Sequence, residues 1–172
     1  MKLFSLNLVL FQALWFCCIL GAAYNNFIPA WSVLACLISL NLLKPVKSDL
    51  NYLAVFITAG FLTDSLLSAL NWISYKPYIF PMEIAPMWIL FLWIGFALSM
   101  RWSMNWLITL PKLAYPALMI GGPLSYFGAQ RLGAIEMVQP LAASTLISLS
   151  WGVILIVLHR MPSKKEDFLH AS

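Results

Sequence analysis

Six apolar stretches dominate the chain, at about residues 3–22, 27–43, 52–75, 86–104, 113–132 and 140–158. Each is close to the roughly 20 residues that a helix needs to cross a hydrocarbon core at about 1.5 Å per residue. Backbone amides in lipid have no water to bond, so stretches of this length close their own hydrogen bonds as helices. Burying all six inside a water-soluble core is excluded by composition. With 62% hydrophobic and 9% charged residues among 172, too little charge is present to clothe a wet surface. The expected fold class is all-α, a polytopic six-transmembrane-helix bundle over residues 1–160, followed by a short cytoplasmic tail at 161–172. No Gly/Ser-rich or Pro-rich linker and no internal repeat divides it.

Basic residues orient the bundle. Lys2, Lys44, Lys47, Arg101, Lys112, Arg160, Lys164 and Lys165 fall on one side of such a topology, and only Lys76 and Arg131 on the other. The excess of Lys and Arg marks the inner side, which places both termini in the cytoplasm and the protein in the cytoplasmic (inner) membrane as a multi-pass chain. The first stretch also fits a secretory signal, with Lys2 ahead of it and the small residues Gly21-Ala22-Ala23 at its end. Asn7, Gln12 and Trp15 interrupt that run and favour an anchor. Trp31, Trp72, Trp88, Trp102 and Trp106 lie near predicted span ends, where indoles gather at the interface.

Asp64 stands thirteenth in the third stretch, about 18 Å along a helix from Tyr52 and near mid-bilayer. An ionised carboxylate there costs about 2.5–3.5 kcal/mol, which demands an inward face or a proton. Gly60, Asp64, Ser68 and Asn71 recur at helical spacing and predict one polar stripe. This stripe reads either as a buried polar site centred on Asp64 or as helix–helix adhesion, with Asp64 bonding Ser, Asn or Trp N–H groups of a neighbour. Gly95/Ser99/Ser103, Ser125/Ala129/Gly133 and Ser144/Ser148/Gly152 are small-residue stripes of the kind that lets helices approach closely.

Gly121-Gly122-Pro123 sits inside the fifth stretch. Pro123 lacks an N–H and crowds the preceding turn, so a helix break is expected there, with freed carbonyls buried in protein or lining a cavity. Arg131, near the outer end, either snorkels to headgroups or pairs with Asp64, Glu83 or Glu136.

Several chemistries are excluded. Cys17, Cys18 and Cys36 match no metal or redox spacing. His159 and His170 lie at the cytoplasmic end, so no metal cluster and no nucleophile–base pair is expected within the membrane. No cofactor and no nucleic-acid partner is expected either, because Lys164-Lys165 is cancelled by Glu166-Asp167.

The run Pro86-Met-Trp88-Ile-Leu-Phe-Leu-Trp93-Ile-Gly-Phe96-Ala, with Phe11-Gln12-Ala-Leu-Trp15-Phe16 before it and Gly121-Gly122-Pro123-Leu-Ser-Tyr126-Phe-Gly128-Ala-Gln-Arg131-Leu-Gly133-Ala134 after it, resembles the bacterial family called domain of unknown function 2878. The resemblance extends over essentially the whole chain, and Gly-Gly-Pro-Leu-x-Tyr is its most specific block. It implies a small polytopic inner-membrane protein with no assigned reaction, encoded near fatty-acid-modifying enzymes. Many members of that family carry an Asn-His pair where this chain reads Arg101-Trp102, so histidine-dependent chemistry is not implied here.

The function expected from these readings is the binding, movement or modification of a lipid or similar amphiphile. Asp64 would bind a polar headgroup or a proton, Ser68, Asn71 and Tyr126 would supply hydrogen bonds, and Arg131 would attract an anionic headgroup. The alternatives are the membrane subunit of a transporter, or a non-catalytic assembly partner of membrane lipid enzymes. An acid–base reaction at Asp64 is conceivable, and the residues do not decide whether the protein is an enzyme.

Overall fold

A computed structural model describes residues 2–43, 45–77 and 83–161. The tail from residue 162 onward and most of the 76–83 loop lie outside the described residues. The elements are α1 (Lys2–Tyr24), α2 (Ile28–Leu42), α3 (Lys47–Val55), a π-helical turn (Phe56–Phe61), α4 (Leu62–Ala69), β1 (Ile73–Tyr75), α5 (Met87–Ser99), α6 (Trp106–Thr109), α7 (Pro111–Arg131), β2 (Ile135–Met137) and α8 (Pro140–Arg160). Among the described residues, three helices are long and apolar enough to cross a membrane: Leu3–Tyr24, Lys47–Ala69, which joins α3, the π turn and α4, and Pro140–Arg160. Ile28–Leu42 and Met87–Ser99 are apolar but shorter.

The fold is mostly helical but departs from all-α. The third apolar stretch does not run as a helix to Tyr75. It stops at Ala69, and Asn71 follows in the left-handed conformation at φ 54°. Asn71 N–H bonds the Ser68 carbonyl and Trp72 N–H reaches back to that of Leu67, the paired bonds of a Schellman cap. α7 ends in the same way. Gly133 takes φ 81°, Gly133 N–H bonds the Gln130 carbonyl, and Ala134 N–H bonds that of Ala129. Each cap feeds directly into a three-residue strand, and β1 and β2 pair antiparallel with Ser74 opposite Glu136. Alternation then works over a very short range: Ile73, Tyr75, Ile135 and Met137 point into the core while Glu136 is exposed. The ribbon staples the ends of α4 and α7 together.

The expected break at Gly121-Gly122-Pro123 is absent, because α7 continues as one helix through both Pro116 and Pro123. Pro123 leaves the carbonyl of Met119 without its usual intrahelical donor. Ser148 of α8 supplies one, its Oγ donating to Met119 O at 2.6 Å. Gly122 lies against the indole of Trp151, leaving no room for a methyl group. The glycine and the proline therefore permit and mend a close α7–α8 contact.

Two charged residues also lie deeper than their loop positions suggest. Arg101 follows α5 and is buried, 3.4 Å from Asp49 of α3. Its guanidinium also donates to Asn41 Oδ1 at 3.2 Å and lies over the Trp102 ring, whose Nε1 donates to the same Asn41 oxygen at 3.1 Å. This cluster ties α2, α3 and the α5–α6 connection at the end of the bundle opposite the ribbon. Of the tryptophans near the expected span ends, Trp31 is exposed, whereas Trp88 and Trp102 are interior.

Candidate functional site

Asp64 lies three residues past the π turn, fully buried. The wide turn is local to the site: such bulges recur at functional positions because they re-aim the residues that follow. Three donors converge on the carboxylate from three different elements. Tyr75 of β1 donates its O–H to Oδ1 at 2.7 Å, and Tyr126 of α7 donates to the same oxygen at 2.6 Å. Trp93 of α5 donates Nε1–H to Oδ2 at 2.6 Å. Acceptor-only oxygens with up to four lone-pair positions are what an ionised carboxylate offers, and three of those positions are filled.

Each donor is held by its own surroundings. Gly60, one turn before Asp64, lacks the side chain that would collide with the Trp93 ring, so the indole lies flat against the helix backbone. Phe56, four residues before Gly60 on the same run of helix, stacks on Trp93 with ring centroids 6.1 Å apart. Tyr75 is placed by the ribbon register and packs against Trp88, which donates Nε1–H to the Lys76 carbonyl at 2.7 Å.

Beside this cluster is a cavity of about 330 Å³, within the usual range of ligand pockets, about 300–1,000 Å³. α1 contributes Phe11, Gln12, Trp15 and Phe16, α5 contributes Trp88 and Trp93, and α7 contributes Gly121, Ser125 and Tyr126. Asp64, Tyr75, Phe96 and Trp151 also line it. Gly121 faces open space, with nothing within 4 Å of where a Cβ would stand. Gln12 and Phe16 are exposed at the rim. No Lys, Arg or His lines the cavity among the described residues.

Of the five residues assigned to the site from sequence, Asp64 and Tyr126 meet. Ser68 is half-buried and does not line the cavity, because Leu67 occupies the inward position one turn after Asp64. Asn71 is exposed and serves as the helix cap. Arg131 is exposed at the end of α7, and Asp64, one of the three carboxylates offered as its alternative to snorkelling, is held by neutral donors. Gly121 and Gly122 do line the cavity, although the helix does not break there. Sequence reasoning missed Tyr75, Trp88, Trp93 and Trp151. A Trp N–H partner for Asp64 was among the readings of its stripe, but nothing in the sequence selects which tryptophan.

No curated protein and no solved structure matches the chain. The family model described as protein of unknown function (DUF2878) matches residues 4–157, a range that takes in every residue lining the cavity, and the chain belongs to that family.

Proposed function

We propose that the protein is a six-span component of the cytoplasmic membrane, both termini inside, whose cavity binds an amphiphile drawn from the bilayer. Six rods support the count: α1, α2, the joined α3–α4, α5, α7 and α8. Large apolar side chains turned outward, among them Val9, Ile28, Leu66 and Leu141, support a lipid surround. Lys76 and Arg131 stand at the ribbon end, which is then the outer side. The observation that carries the reading is the aromatic-walled cavity with one carboxylate at its polar end. Ser125 Oγ is engaged with the Gly122 carbonyl at 2.6 Å, and Asp64 with Tyr75 and Tyr126. A pocket so largely apolar suits an alkyl or isoprenoid body with one small polar group.

Gly121→Leu tests this reading. The new side chain enters open space, so the fold survives while the cavity fills. Purified in nanodiscs, the wild type should show quenching of its tryptophans by 12-bromododecanol at several-fold lower concentration than the variant, at equal thermal stability. Equal quenching in both proteins would overturn the cavity as a binding site. The topology is read separately, by membrane-impermeant labelling of single cysteines placed at Lys76 and Lys112. Labelling from outside is expected at 76 only.

A further inference from the structure

We infer that the amphiphile carries a positive charge: a substituted ammonium group seated against the aromatic wall beside Asp64, with its hydrocarbon tail along α1 and α7. The inference rests on the binding reading above and adds the chemical class of the headgroup. Its first support is charge balance. Asp64 presents an acceptor-only carboxylate to a chain of three neutral donors, and among the described residues no basic side chain lines the cavity. A cationic ligand would supply the counter-charge that this fully buried carboxyl group finds in no described side chain lining the cavity.

The second support is the wall. Trp15, Tyr75, Trp88, Trp93, Tyr126 and Trp151 all line the space. Aromatic faces attract organic cations through their quadrupoles, most strongly when water is excluded, and rings clustered around one space are how proteins hold alkylated ammonium groups. The phenols of Tyr75 and Tyr126 give their O–H groups to Asp64, which enriches their rings in electron density and strengthens that attraction. The third support is hydrogen-bond capacity. Three of four carboxylate positions are taken, so an ammonium with three N–H groups could place only one on Asp64 and would have to desolvate the other two in a largely apolar chamber. An alkylated head avoids that penalty. Filling the cavity with an anionic headgroup would set like charges together in a low dielectric, with no cation to separate them.

Three probes with one tail separate the possibilities: 12-bromododecyltrimethylammonium, 12-bromododecanol and 12-bromododecanoate. Each is titrated into the wild-type protein in zwitterionic nanodiscs while tryptophan fluorescence is followed, with Gly121→Leu as the filled-cavity baseline. The cation should half-saturate at a concentration at least about tenfold below the alcohol, with the carboxylate weakest. Asp64→Asn should bring cation and alcohol to within about threefold of each other. Because the ranking is measured on the wild type, it stands even if Asp64→Asn does not fold. Alcohol or carboxylate binding as tightly as the cation would overturn the headgroup assignment and leave the cavity reading intact. Quenching by none of the three above the Gly121→Leu baseline would overturn both.

Discussion

The Trp93 indole rests on the backbone of Gly60, so closely that a methyl group at position 60 would overlap the ring. The same indole donates to Asp64 Oδ2, so the absence of a side chain at one position sets the aim of a donor at another. Gly60→Ala forces the ring away. It is expected to cost about 1–3 kcal/mol, the usual range for overpacking, and to change tryptophan emission. Thermal unfolding of the purified protein measures the first, and the near-ultraviolet spectrum the second. An unchanged melting curve with unchanged emission would show that the contact is not tight.

Asp64 is the shared acceptor of three buried donors. Asp64→Leu orphans all three, at about 1–3 kcal/mol each. Asp64→Asn retains one acceptor oxygen and should lose distinctly less stability. In the Asp64→Leu background, adding Tyr126→Phe removes an orphan hydroxyl and should restore part of the loss, although the same change in the wild type destabilises. That reversal of sign, measured by denaturation of the four proteins, checks the network.

Ser148 and Pro123 form a compensating pair across α7 and α8. Ser148→Ala leaves the Met119 carbonyl without its donor, an expected loss of about 1–3 kcal/mol. Pro123→Ala restores an N–H in register with that carbonyl. The double variant should therefore be more stable than Ser148→Ala alone. A double-mutant cycle whose coupling is zero would rule out the repair.

At the opposite end, Arg101 and Asp49 are both buried at a separation of 3.4 Å. Removing one partner takes away the buried charge that balances the other, so Arg101→Met or Asp49→Leu should cost about 3–5 kcal/mol, and the double change much less than the sum. Expression level and melting temperature in detergent provide the readout. Because the cluster lies away from the cavity, amphiphile binding by whatever protein folds should be unchanged.

The rods were legible because an apolar run of about 20 residues has few folded states open to it. Expected stretches at 113–132 and 140–158 lie on α7 (Pro111–Arg131) and α8 (Pro140–Arg160) within two residues at each end. The ribbon was not legible. Ile73–Tyr75 and Ile135–Met137 are too short for a period of two to show inside apolar sequence, and Asn71 reads as a stripe residue until its backbone is seen as a cap. Asp64 stood out because a carboxylate in such a run is costly wherever it faces. Its donors did not, since tryptophan and tyrosine are equally at home in an interfacial belt, and Trp93 and Tyr126 reach Asp64 from 29 and 62 positions away. Gly121-Gly122-Pro123 was rightly conspicuous: the helix does not break there, but the carbonyl that Pro123 frees is met by Ser148 in a tight α7–α8 contact.

The separation of those partners along the chain has a consequence for biosynthesis. Tyr75 leaves the ribosome 11 residues after Asp64, but Tyr126 follows only after 62. At roughly 5–20 residues per second that interval is about 3–12 s. During it the nascent polypeptide holds a carboxylate whose third donor has not yet been made. The network around Asp64 therefore closes only once α7 has been made.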